Sequence, residues 1–398
     1  MTKNTKSVCQ ELMLSLSSKC NRGCSHCYFD SNMKGTFFSP ENAVFLAEEL
    51  AKANEKNIDK FNLEFFLHFS GNGESLLNPN FEEIMDIIFE GNPFISGSFI
   101  TSGVDPKNSS EEKRLVNLLS KPYANRLNFC VSFNLFEKDF SKRITRTLDI
   151  LFENSDKKVG IKICLPKKRV YLPILKLHNL LEKHFIENVR EENPIILEND
   201  NEIIEPIGIS YRLKEAVKFI CWLDKESKKR EIKEAANKHL INIRSSEDDI
   251  LAEMIDLKIS FNQSFILRTK FGERRIDYLP HSLTCRGRAK NMPWEEFPKN
   301  VRKTPCCYMI KSLMPCINSD GYYYLTPDCL KIPTMKIGQV TDNLLDIIFV
   351  TNGFLKMLLQ KIILDQRPYE DICELCSKIA AKRDLTLWRD IIKYSSRD

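Results

Sequence analysis

Leu12, Leu14 and Leu16 alternate with Met13 and Ser15, a period of two that predicts a half-buried β-strand running into Cys20. Ser39-Pro40-Glu41 reads as an N-cap, a proline at the first helical position and an acidic first turn, and predicts a helix over Glu41 to Ala53. A second apolar run, Asn62 to Phe69, predicts a strand that ends in the turn Ser70-Gly71-Asn72-Gly73-Glu74-Ser75. Asn78-Pro79-Asn80 then predicts the cap of a helix over Phe81 to Glu90. Strand, loop, helix, repeated, implies a parallel sheet with functional loops at the carboxyl ends of its strands.

Further along, Arg190 to Ile276 is rich in charge, with one or two amphipathic helices expected over Lys214 to Asp256 and strands around Phe271-Gly272 between Ser260 and Ile276. Near the C-terminus, Asp320-Gly321 between β-prone segments is a hairpin signal. No internal repeat is visible.

Composition narrows the class. The chain has 398 residues, 42% of them hydrophobic, so it can bury a large core without covalent staples. Fourteen cysteines are too few for a disulfide scaffold. The N-terminus has no apolar segment of a signal peptide and no run approaches a membrane span, so a cytosolic protein with reduced thiols is expected. A net charge of +5 is nearly balanced and indicates no nucleic-acid partner.

The cysteines fall into groups. Cys20, Cys24 and Cys27 form a C-x3-C-x2-C cluster. Cys285, Cys306, Cys307, Cys316, Cys329, Cys373 and Cys376 crowd the last part of the chain, whereas Cys9, Cys130, Cys164 and Cys221 are scattered and read as buried small hydrophobes. A structural zinc site wants four arms from a compact knuckle, and His26, between Cys24 and Cys27, is awkward as a fourth. Three thiolates on one loop with an open fourth position suit a cubane iron–sulfur cluster.

Taken together, C-x3-C-x2-C after the first strand, Asn72-Gly73-Glu74-Ser75 after the second, Phe99 to Gly103 and Asn128 to Asn134 resemble the motifs of radical S-adenosylmethionine enzymes, with Val159 to Leu165 as a fifth strand. The resemblance covers residues 8 to 170. It implies an α/β fold, an incomplete TIM-like (β/α)6 barrel over residues 8–280 with the charged insertion at 190–276, and a small cluster-binding domain over 281–398. It also implies a 4Fe-4S cluster on Cys20, Cys24 and Cys27 that cleaves S-adenosylmethionine to a 5'-deoxyadenosyl radical. His26, Gly71, Asn72, Gly73, Glu74 and Ser132 would hold the cofactor, and Arg143 would either pair with its carboxylate or be a solvated helix charge.

The C-terminal segment, with Cys285-Arg286-Gly287-Arg288-Ala289, the Asn318 to Gly321 turn and Cys373-Glu374-Leu375-Cys376, resembles the SPASM or twitch auxiliary-cluster extension of that superfamily. Lys382 stands where the longer form has its next cysteine, which implies one auxiliary 4Fe-4S cluster. Its ligands would be Cys307, Cys329, Cys373 and Cys376, with Cys306 and Cys316 as alternatives to Cys307 and zinc as the alternative metal. Cys285 would be a free thiol facing the active site. Family membership implies hydrogen-atom abstraction from a peptide or protein side chain, or oxidation of a small molecule, with an electron donor such as flavodoxin or ferredoxin. The 19 residues before Cys20 are too few for the winged-helix domain of many peptide modifiers. A zinc-binding, non-catalytic interaction protein is the reading of a different class.

Overall fold

The structure is a computed structural model that describes residues 7–25, 27, 29, 31–57, 62–133, 140–165, 177, 180, 181, 184, 185, 195–197, 264–282, 314–325, 327, 330, 336–348, 350 and 351. Strand β1 (Ser7–Leu14), helix α1 (Pro40–Asn57), β2 (Asn62–Phe69), α2 (Phe81–Glu90), β3 (Ile95–Thr101), α3 (Ser109–Ser120), β4 (Leu127–Phe133), α4 (Phe140–Asn154) and β5 (Val159–Leu165) alternate, the first four in the order the hydrophobic pattern predicts. Beyond them come β6 (Ile195–Leu197), β7 (Ser264–Thr269), β8 (Gly272–Ser282), β9 (Cys316–Ile317), β10 (Tyr322–Tyr324) and β11 (Lys336–Gln339).

All belong to one 11-stranded sheet in the order β11-β10-β9-β1-β2-β3-β4-β5-β8-β7-β6. Six neighbours, β1-β2-β3-β4-β5-β8, are parallel. The sixth corrects an expectation. The strands foreseen up to Ile276 were assigned to the charged insertion, but β7 and β8 form an antiparallel hairpin whose second arm runs on to Ser282 and pairs with β5. Gly272, at φ +95, supplies the left-handed turn residue that the hairpin needs. At the other edge β9 pairs parallel with β1, so the C-terminal hairpin continues the main sheet.

Register explains the two faces. Leu12, Leu67, Phe69, Phe99, Val131 and Ile161 lie on one face and are fully buried, under the apolar stripes of the helices. Each such side chain contributes about 1.5–3 kcal/mol on leaving water. The other face alternates out of phase and carries the polar Glu11, His68, Ser98, Ser132, Lys162 and Asp277 among Met13, Phe66, Ile100, Cys130 and Leu279. There His68 Nδ1 and Ser98 Oγ are 2.9 Å apart, and His68 Nε2 stands 3.4 Å from Glu11 Oε2.

Caps follow the sequence in part. Ser39 Oγ accepts from the Asn42 amide at 3.2 Å at the start of α1, which runs a turn longer than expected. For α2 the N-cap is Asn80, but its side chain makes no capping bond. Asn78 is fully buried instead and donates to Leu16 O at 2.8 Å and Phe38 O at 2.9 Å. Cys130 is buried as expected, but Cys9 is exposed, in a polar setting that includes Glu11 and Glu64. Cys164 lies in β5, with its side chain outside the described residues. Among the described residues no helix is long and apolar enough to cross a membrane.

Candidate functional site

Between Leu16 and Phe38 the chain leaves β1, carries the three cysteines and returns to α1. This loop is closed at its base. Phe38 N donates to Leu16 O at 3.0 Å, Ser18 N to Thr36 O at 2.9 Å and Cys20 N to Asn32 O at 3.0 Å. Asn78 spans the same base with its two side-chain bonds, so five hydrogen bonds hold a segment that composition alone reads as an open loop.

The turn after β2 interlocks with it. Glu74 N donates to Lys19 O at 2.9 Å, and Ser70 N to Leu14 O at 3.2 Å. A Cβ on Gly73 would stand 2.2 Å from Ser17 O and 2.6 Å from Lys19 O, so only glycine lets the two loops approach. Gly71, at φ +146, is held to glycine both by its backbone and by Ser15, whose side chain a Cβ would meet at 2.6 Å. Asn72 is buried and accepts from Ser15 Oγ at 2.8 Å, while its carbonyl accepts from Ser31 Oγ.

Glu74 gathers the third strand into the same knot. Oε1 accepts from Thr101 Oγ1 at 2.9 Å and Leu76 N at 3.3 Å; Oε2 accepts from Ser102 N at 2.9 Å and Ser102 Oγ at 2.5 Å. Four donors occupy the roughly four acceptor positions of a carboxylate. Thus Glu74, 3% exposed, braces the turn after β3. Ser132 lies on the polar face in β4, opposite Lys162 in β5, and among the described residues makes no hydrogen bond to this network.

Arg22 and Glu111 are the residues that sequence reasoning missed. The Arg22 side chain is wholly buried and ion-pairs with the equally buried Glu111 at 2.6 Å. Asp105 lies 3.9 Å from Arg22 and 3.7 Å from Arg143, which sets Arg143 beside an internal carboxylate. Asn108-Ser109-Ser110-Glu111 has the spacing of a capping box, and that signal finds the start of α3. It gives Glu111 a local partner only; the arginine 89 residues earlier is a tertiary fact.

None of the three cysteines is in a disulfide, and all are partly exposed. Burial pushes the Cys20 thiol up to about 11, a hydrogen bond from the Arg22 main chain opposing this and the Glu74 charge adding to it. Ser31 N lies 3.4 Å from Cys27 Sγ, and Cys27 N donates to Cys24 O at 3.2 Å. Three thiols on one pinned loop, that of Cys27 taking a hydrogen bond from the Ser31 amide, are a donor set that fits a thiolate-bound iron–sulfur cluster. Among the described residues no three His, Cys, Asp or Glu side chains converge on a point that could hold a single metal ion. His26, Cys285, Cys306, Cys307, Cys329, Cys373 and Cys376, together with Cys221 and the helices expected over 214–256, lie outside the described residues.

No protein-family model and no curated protein matches the chain. Among solved structures it is similar to SuiB of Streptococcus suis bound to the precursor peptide SuiA, with 13% identity over 85% of this chain and 64% of that one and a TM-score of 0.42. It is similar to BtrN in complex with AdoMet and 2-DOIA, with 20% identity over 32% and 47% of the two chains and a TM-score of 0.24. TYW1 with a lysine-pyruvate adduct gives 17% identity, 55% and 73% coverage and a TM-score of 0.28. The chain covers less than two thirds of the BtrN and SuiB chains.

Proposed function

We propose that the chain is a radical S-adenosylmethionine enzyme whose 4Fe-4S cluster is held by Cys20, Cys24 and Cys27. One observation carries this reading. The C-x3-C-x2-C loop and the Gly71 to Glu74 turn, adjacent in no sequence sense, interlock at the carboxyl edge of a six-strand parallel array through Glu74 N to Lys19 O and the glycine-only approach at Gly73. Cofactor sites of open parallel sheets lie at that edge.

When bound, the cluster and S-adenosylmethionine would supply the radical that abstracts a hydrogen atom from substrate. The chain's own part is placement. His26, Gly71, Asn72, Gly73, Glu74 and Ser132 would hold the cofactor, and the buried brace around Glu74 keeps the two loops from parting. The ammonium of S-adenosylmethionine would compete at Glu74 with donors already there, of which the Leu76 amide makes the longest bond.

The substrate we favour is a peptide or protein side chain, with oxidation of a small molecule as the alternative. Cys307, Cys329, Cys373 and Cys376 would hold a second 4Fe-4S cluster, with Cys306 and Cys316 as alternatives for the first ligand. Flavodoxin or ferredoxin would deliver electrons in the cytosol.

The test is anaerobic reconstitution followed by assay for 5'-deoxyadenosine. A brown protein that cleaves S-adenosylmethionine is expected, with Cys24→Ala abolishing cleavage and Cys373→Ala sparing the first cluster. A colourless zinc protein inert towards the cofactor sinks the reading in favour of an interaction protein.

A further inference from the structure

Arg22 sits inside the cysteine loop, where a charged residue ordinarily points to water. Instead it turns inward, and its partners lie on the turn after β3 and in the first turn of α3. Nε donates to Ser102 Oγ at 3.0 Å, and Nη2 to Gly103 O at 2.5 Å and to Glu111 Oε2 at 2.6 Å. Glu111 Oε2 also accepts from Asp105 N at 2.8 Å, and its Oε1 accepts from Asn108 Nδ2 at 3.1 Å.

Two consequences follow from the burial. A pair shielded from water holds its geometry tightly, because breaking it strands a charge in a low-dielectric interior. Its field also reaches neighbours that solvent would otherwise screen. A chemically important neighbour is Cys20, two residues before Arg22 on the same pinned loop and within reach of its charge. Hydrogen bonds to cluster sulfurs and net local charge are what set the reduction potential of an iron–sulfur centre.

Building on the radical S-adenosylmethionine reading, we propose that Arg22 is a positioning residue: its pair with Glu111 clamps the cysteine loop to the β3–α3 turn and sets the reduction potential of a cluster held through Cys20. An added electron is favoured by the buried positive charge of Arg22 and disfavoured by the negative charges of Glu111 and Glu74. Removing either partner therefore breaks the same clamp with opposite electrostatic sign.

That sign is the test. In full-length reconstituted protein, Arg22→Met shifts the potential of the N-terminal cluster negative, Glu111→Gln shifts it positive, and Arg22→Lys, which keeps the charge without the planar fork, stays near the parent value. Shifts of the same direction in Arg22→Met and Glu111→Gln, or none in either, overturn the tuning role. Amide hydrogen exchange on the metal-free protein tests the clamp without a cluster. Faster exchange in both 16–25 and 101–105 in all three variants is expected, and unchanged exchange overturns it. Should Arg22→Met not fold, Glu111→Gln and Arg22→Lys carry both arms. Failure of the parent protein to take up iron defeats the proposed function, while the exchange result still decides the clamp.

Discussion

The helix-covered face of the sheet and its carboxyl edge are built by different rules. On the face, Leu67, Phe69, Phe99 and Val131 fill space against helices, and no single atom pair decides the outcome. At the edge, a few polar bonds do the holding: Asn78 to two carbonyls, Glu74 to four donors, and Arg22 to Glu111. Non-directional packing tolerates volume-conserving change. Directional bonds between buried groups do not, because each lost partner leaves a desolvated atom unpaired.

The sharpest break of this contrast is Arg22→Met. It strands Glu111 in the interior and should cost about 3–5 kcal/mol, read from the denaturant midpoint of the metal-free protein. The double change Arg22→Met with Glu111→Leu should recover much of that loss, since apolar groups of similar volume replace a buried pair without penalty. On the apolar face, Leu67→Met should cost less than about 1.5 kcal/mol by the same measurement. Losses of similar size at the two sites would erase the distinction.

Gly73→Ala comes next. Its new Cβ meets Ser17 O, so the loops must separate, at about 1–3 kcal/mol, with reduced iron uptake on reconstitution. Asn78→Ala should cost about 1–3 kcal/mol by taking the Asn78 donor from Phe38 O and leaving Leu16 O with the Phe38 amide alone, and should speed hydrogen exchange in 16–20.

The smallest effect lies on the polar face. Burial lowers the His68 pKa below its usual 6.5, opposed by Glu11 and reinforced by Lys162. The folded protein thus binds fewer protons there than the unfolded chain, and stability falls as pH drops through 6.5 and below. His68→Gln should flatten that part of a melting-temperature profile between pH 7.5 and 5.5, and an unaltered slope would place the titration elsewhere.

The alternation at Leu12 to Leu16, the cap at Ser39 and the glycine turn after β2 were legible because they are local. Strands β1 and β2 fell where the apolar runs lie, and β3 to β5 where the resemblance placed them; the first of these runs also located the cysteine loop. What stayed hidden was pairing across the fold. Nothing near Ile276 says that β8 will join β5, since Gly272 to Ser282 has no helix directly ahead of it to mark a βα unit. Likewise Arg22 reads as a solvated charge and Asn78 as a helix cap. Their real partners lie 89 and up to 62 residues distant. Glu74 was legible as a site residue, but its occupation by Thr101 and Ser102 was not, because two hydroxyls at the end of a strand carry no signal of where they donate.

The central claim is that the pinned loop presents Cys20, Cys24 and Cys27 to a cluster that S-adenosylmethionine binds directly. Electron paramagnetic resonance of the reduced, anaerobically reconstituted protein tests it most directly, recorded with and without the cofactor. The account predicts a cluster signal whose g-values change when S-adenosylmethionine is added, and the loss of that change in Cys24→Ala. A signal indifferent to the cofactor in the parent protein, or a cofactor-dependent change that Cys24→Ala leaves intact, would contradict it.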